Sequence, residues 1–272
     1  MQATAIAAWS GRYGHVNVVY NNKIFLMGGT TGSGSVVHDV WSSSDGITWT
    51  QVTAAAEWSG RYGLTSVALN DVLYVMGGSS GGNEVWSSSD GATWNQVTAA
   101  ASWSSRHTHT SVVYNNKMYV LGGSGGSNSV WSSSDGATWS QVAATAEWSG
   151  RYGHGSVVLD NKIYVMGGMG GGMFLNDVWS SSDGGSTWVV VGTAAWNGRR
   201  QFPCIVYENK IVVFAGYANA YYHDVWYLEP PLSTVIVPVS NVTNAVKTGV
   251  IAGWVALNAG LLGYGVLNYH GN

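Results

Sequence analysis

Trp148-Ser149-Gly150-Arg151-Tyr152-Gly153-His154-Gly155-Ser156-Val157-Val158, with Lys162-Ile163-Tyr164-Val165-Met166-Gly167-Gly168 after it, decides how this chain folds, because it recurs. The tryptophan that opens it stands also at Trp9, Trp58, Trp103 and Trp196, in steps of 45 to 49 residues. A fixed period of that length marks stacked supersecondary units, each too small to bury its apolar faces alone. Every unit runs on into a second block, such as Asp39-Val40-Trp41-Ser42-Ser43-Ser44-Asp45-Gly46-Ile47-Thr48-Trp49.

One unit reads as four short strands. Residues 15–20 form the first and end at an Asn21-Asn22 turn; residues 23–27 form the second, stopped by Gly28-Gly29. After a Gly/Ser/Thr loop come residues 40–43, a tight Asp45-Gly46 turn, and residues 48–53. Val, Ile, Tyr and Trp fill the strands while Asn, Asp and Gly punctuate them, and no helical periodicity competes. Four antiparallel strands repeated at this period predict an all-β fold, a β-propeller of four-stranded blades.

A double glycine closes the second strand at Gly28-Gly29, Gly77-Gly78, Gly122-Gly123 and Gly167-Gly168. An aromatic precedes it at Phe25, Tyr74, Tyr119 and Tyr164, and a tryptophan follows at Trp49, Trp94, Trp139 and Trp188. This pattern resembles the kelch repeat over about residues 2–228. The fifth unit departs from it: Ala215-Gly216 replaces the double glycine, and no turn-plus-tryptophan block follows Leu228. Residues 2–5 lie as far before Trp9 as Gln51-Val52-Thr53-Ala54 lies before Trp58, so the N-terminus is expected to supply the missing fourth strand, as kelch-like propellers often do. That would close a ring of five blades and remove two sheet edges. Residues 234–239 are the alternative closing strand, with Pro238 confining them to an edge.

Composition narrows the function classes. Charged residues make up 9% of the chain and the net charge is −3, which gives no reason to expect a nucleic-acid partner. Cys204 is the single cysteine, so neither an intramolecular disulfide nor a cysteine metal cluster is expected. The propeller is assigned to residues 1–230 and a distinct apolar, Gly-rich tail to residues 231–272. Residues 250–267 carry no charge and are long enough to cross a bilayer or to dock on a neighbouring subunit. Asn241-Val242-Thr243 fits a glycosylation sequon. A membrane-associated, extracellular or virus-like setting suits the low charge and the tail.

The resemblance implies that the first strand of each unit lines a central channel and that the residues just before it ring one face. Arg12, Arg61, Arg106, Arg151 and Arg199 recur there, accompanied by Tyr13, Tyr62, His107, Tyr152 and Arg200, with His15, His109 and His154 close by. Converging guanidinium forks suit carboxylates, phosphates or sulfates. The other reading pairs each arginine with the acid that opens the third strand, namely Asp39, Glu84, Asp177 or Asp224. The third unit has Ser129 in that place, which leaves Arg106 the least neutralised.

The Ser-x-Asp-Gly turns resemble the Asp-box of sialidase-type propellers, in which the side chains tie up turn amides and do no chemistry. A copper-radical oxidase of the galactose-oxidase type would need Cys204 cross-linked to a tyrosine beside histidines; Tyr222 and His223 are in the same unit. The tryptophans Trp9 to Trp196 either seal the gaps between blades or stack on sugars. The expected function is non-enzymatic, cofactor-free recognition of a protein or glycan by the ring of Arg, Tyr and His. A structural assembly subunit and a glycan-acting propeller enzyme are the alternatives.

Overall fold

Each repeat unit folds as a four-stranded antiparallel sheet, and five such sheets surround one channel. The computed structural model describes residues 6–229 and the strand Val237–Pro238. Blade 1 is Val16–Tyr20, Lys23–Met27, Val40–Ser43 and Thr50–Thr53; blade 2 is Thr65–Leu69, Val72–Met76, Val85–Ser88 and Asn95–Thr98. Blade 3 is Thr110–Tyr114, Lys117–Leu121, Val130–Ser133 and Ser140–Ala143. Blade 4 is Gly155–Leu159, Lys162–Gly170, Met173–Ser181 and Val189–Thr193, and blade 5 is Cys204–Tyr207, Lys210–Phe214, Val225–Leu228 and Val237–Pro238.

Turn chemistry fixes these hairpins. The first turn of every blade holds two consecutive residues at positive φ, as at Asn21 (46°) and Asn22 (56°), the twist-compatible geometry of a two-residue hairpin. The third and fourth strands are joined by a turn tied from inside: in blade 1, Gly46 N–H donates to Ser43 Oγ (2.8 Å) while Ile47 and Thr48 N–H donate to Asp45 Oδ1 (2.8 Å each). The same bonds recur around Asp90, Asp135 and Asp183.

The core lies between blades. Trp58, Trp103 and Trp148 are 0% exposed and each stands edge-on to the turn tryptophan of its own blade, Trp94, Trp139 or Trp188, at 5.8–6.0 Å with planes 87–89° apart. Each pair packs under aromatics and an apolar side chain of the preceding blade, methionine in blades 1 and 2 and Leu121 in blade 3; Tyr20, Phe25 and Met27 of blade 1 cover Trp58 and Trp94. Trp58, Trp103, Trp148 and Trp196 therefore seal the blade gaps, while Trp9 is half-buried against Trp49.

Alternation along the inner strands sorts the channel wall into rings. Asn17, Ser66, Ser111, Ser156 and Cys204 form a polar waist, and two residues on, Val19, Ala68, Val113, Val158 and Val206 form an apolar exit. At the other mouth a belt of backbone hydrogen bonds passes from blade to blade. The amides of Gly63, Thr108, Gly153 and Gln201 donate to the carbonyls of Gly14, Gly63, Thr108 and Gly153 in turn, at 2.6–2.8 Å. All five belt positions have positive φ, 52–66°, which glycine accepts freely and Thr108 and Gln201 do not.

The closing strand corrects an expectation. Val237–Pro238, and not the N-terminus, is described as the fourth strand of blade 5, pairing with Tyr227 and Trp226. Residues 2–5 lie outside the described residues. Pro238 is accommodated because an outermost strand needs no donor on its free side. Blade 5 thus reaches past residue 230. The apolar segment 250–267 and the sequon at Asn241 lie outside the described residues.

Candidate functional site

The five recurrent arginines are buried within the blades, at 0–6% exposure. Their neighbourhood repeats with little change. In blade 4, Arg151 Nη1 donates to Gly167 O (3.0 Å) and Nε to Ser149 O (3.0 Å), and a two-pronged contact to Asp177 closes at 2.7 Å on both oxygens. Arg12 holds Asp39 and Arg199 holds Asp224 in the same fork, and Arg61 reaches Glu84 at 2.7 Å. Tryptophan indoles complete the cluster, as Trp179 Nε1 donates to Asp177 Oδ2 at 2.7 Å. Burial opposes ionisation of Asp39, Asp177 and Asp224, yet the hydrogen bonds and charge of the arginines hold all three carboxyls below the usual range.

Pairing is therefore what the structure finds for four arginines, and burial withdraws all five guanidinium groups from solvent. They brace the double-glycine turn against the third strand. Arg106 is the exception in charge but not in place. It is 3% exposed and donates to Gly122 O, Ser104 O, Ser104 Oγ and Ser129 Oγ, with no carboxylate in reach. Burial alone pulls its pKa down to about 10, so it stays charged at neutral pH.

The companions of these arginines are what the face presents. Tyr13, Tyr62, His107, Tyr152 and Arg200 are all half-buried around the mouth. Tyr13 and Tyr62 stand 6.4 Å apart, and Tyr62 and His107 5.9 Å, giving an arc of tilted rings. Arg200 stands where three other blades have tyrosine, and its guanidinium lies 5.5–5.9 Å from the rings of Tyr152, Tyr217 and Phe174. It donates to Tyr152 Oη at 3.1 Å, while its Nε is buried without a partner. Among the described residues no carboxylate pairs with it.

Sequence reasoning missed Phe174, Tyr217 and Tyr221 beside it. The longer second hairpin of blade 4, where Met169 pairs with Phe174 and Gly170 with Met173, lifts Phe174 to the face and leaves Met173 65% exposed. Its sequence signal is the run of glycines and methionines from Met169 to Met173.

Inside the mouth is a cavity of about 310 Å³ to which every blade contributes. His15, His109 and His154 lie on its wall; burial first, then the charge of the adjacent arginines, drives all three pKa values down, to about 3 for His15 and His154. They are neutral imidazoles. Cys204 donates weakly to Ser156 O (3.7 Å), and burial pushes its thiol up to about 12, far from a reactive thiolate. Tyr222 lies under Arg199, 4.2 Å from guanidinium carbon to ring centre, and His223 is exposed. Among the described residues no three His, Cys, Asp or Glu side chains converge to hold a metal.

A sequence model of the KLHDC2/KLHL20/DRC7 Kelch-repeats domain matches residues 83–234. No curated protein matches the chain.

Proposed function

Because the chain belongs to the Kelch-repeat family, we propose that it is a non-catalytic protein-binding propeller whose partner docks on the mouth ringed by Tyr13, Tyr62, His107, Tyr152 and Arg200. Arg200 is the observation that carries this reading. A guanidinium set among aromatic rings, with no carboxylate neighbour and one N–H unused, is prepared for an acidic group brought by a ligand. The rings beside it offer the apolar, low-entropy contact area on which protein interfaces concentrate their binding energy. The favoured ligand is a protein segment carrying an acidic group next to an apolar side chain.

The test is selection from a displayed peptide library, followed by fluorescence-polarisation titration of the winners against variants. Arg200→Ala is expected to weaken binding about tenfold or more, the scale of one charge-assisted hydrogen bond. Tyr62→Ala should weaken it without reducing the preference for acidic peptides. Arg106→Ala should leave affinity unchanged because its side chain is inside the blade. Selection of peptides with no acidic bias, or equal binding by wild type and Arg200→Ala, refutes the assignment.

A further inference from the structure

On two adjacent blades the channel histidine is served by a threonine of the blade before it. His109 Nε2 meets Thr65 Oγ1 at 3.1 Å, and His154 Nε2 meets Thr110 Oγ1 at 2.9 Å. His15 would receive the same service from blade 5, but the corresponding residue there is Pro203, which has no hydroxyl. Both ring nitrogens of His15 are buried and without a partner. Two residues along the strand, Asn17 takes the place that serine fills on blades 2, 3 and 4, and its Oδ1 is also buried and without a partner. Ser66 and Ser156 Oγ add two more unmet groups at the same level. Buried polar atoms are nearly always satisfied, so a concentration of unmet ones along a single cavity points to a group that satisfies them.

We propose that this cavity is a binding site for a neutral, hydroxyl-rich small molecule of about monosaccharide size, held chiefly by His15 and Asn17. The unmet atoms decide the chemistry. A neutral imidazole offers one donor and one acceptor, and the amide oxygen of Asn17 offers an acceptor; a hydroxyl group answers either. No Asp, Glu, Lys or Arg lines the cavity, and an ion buried there without a counter-charge would be strongly disfavoured. That argues against a carboxylate, phosphate or amine. A volume of about 310 Å³ is at the small end of the roughly 300–1,000 Å³ range of ligand pockets. Leu64 and Phe202, which replace the histidine on blades 2 and 5, supply apolar wall for the C–H faces of such a ligand.

The experiment is titration calorimetry of the whole chain with glucose, galactose, mannose, N-acetylglucosamine and myo-inositol, with glucuronate and glucosamine as charged counterparts. At least one neutral compound should bind saturably, and its charged counterpart about tenfold or more weakly. Asn17→Ser and His15→Leu install residues that blade 2 carries at the same places, so both should fold, and each should weaken binding about tenfold or more. The proposal is overturned if no neutral compound binds saturably at any soluble concentration. It is equally overturned if the charged counterparts bind as tightly, or if both variants bind as the wild type does.

Discussion

Ser129 is the site of the clearest energetic prediction. Four blades place a carboxylate against the buried arginine and blade 3 places a hydroxyl, although Arg106 is as fully desolvated as the rest. The cost of burying the cation is thus already met in the wild type. Blade 2 supplies the template for the missing partner, because Arg61 and Glu84 are separated by 23 residues, as are Arg106 and Ser129. Ser129→Glu should reproduce the 2.7 Å contact of Arg61 with Glu84 and the 3.0 Å bond from Trp86 Nε1, here from Trp131. Two unit charges about 4 Å apart attract by about 4 kcal/mol at an effective dielectric constant of about 20. Partial desolvation of the new carboxylate, 29% exposed in the template, takes back part of that. The expected net gain is about 1–2 kcal/mol, or roughly 2–8 °C in Tm for a domain of this size. Urea and thermal melts of wild type, Ser129→Glu and Ser129→Gln measure it. Glutamine keeps the shape without the charge and should recover little. The gain should fade as pH falls below about 4, where the added carboxylate protonates. A Ser129→Glu protein no more stable than Ser129→Gln at neutral pH would show that the charge of Arg106 is already compensated, and would refute the reasoning.

Two further outcomes follow from the fold. His15, His109 and His154 are held neutral in the native state but titrate near 6.5 when unfolded, so the unfolded chain binds more protons between about pH 6.5 and 3 and stability must fall as pH drops through that window. The slope approaches about 1.4 kcal/mol per pH unit per histidine; urea midpoints that do not move between pH 7.5 and 5 would contradict it. Gly150→Ala should prevent folding or lower Tm steeply, because a Cβ there would overlap the carbonyl of Gly126, whereas Gly11→Ala at the equivalent place meets nothing within 4 Å and should be neutral. Comparable melting of the two variants would show that the loop before Gly150 yields.

The sequence pattern carried the skeleton and not the site, for a physical reason. What recurs serves what the units share: tryptophans for the gaps in all five, Ser-x-Asp turns for the outer hairpin in four, and arginine–carboxylate braces beside the glycine turn in four. Those features were readable from period and spacing. The choice of closing strand was not, because Val237–Pro238 lies outside the repeat pattern and an outer edge asks little of its side chains beyond extension. The recurrent arginines turn inward, since a charge repeated beside a repeated acid is a structural pair. The proposed sites rest instead on departures from the repeat: Arg200 for tyrosine, Pro203 for threonine, Asn17 for serine, Gln201 for glycine. Three of these belong to blade 5, and Asn17 to blade 1, which follows it around the ring.

The belt around the mouth has a direction. All four of its links run the same way, an amide of one blade to a carbonyl of the blade before, so each bond polarises the next along the arc. Among the described residues no fifth link joins the amide of Gly14 to the carbonyl of Gln201. The arc therefore ends at the amide of Gly14, beside His15, and at the carbonyl of Gln201. A molecule with a donor and an acceptor side by side, seated between those two ends, would make the ring of hydrogen bonds continuous.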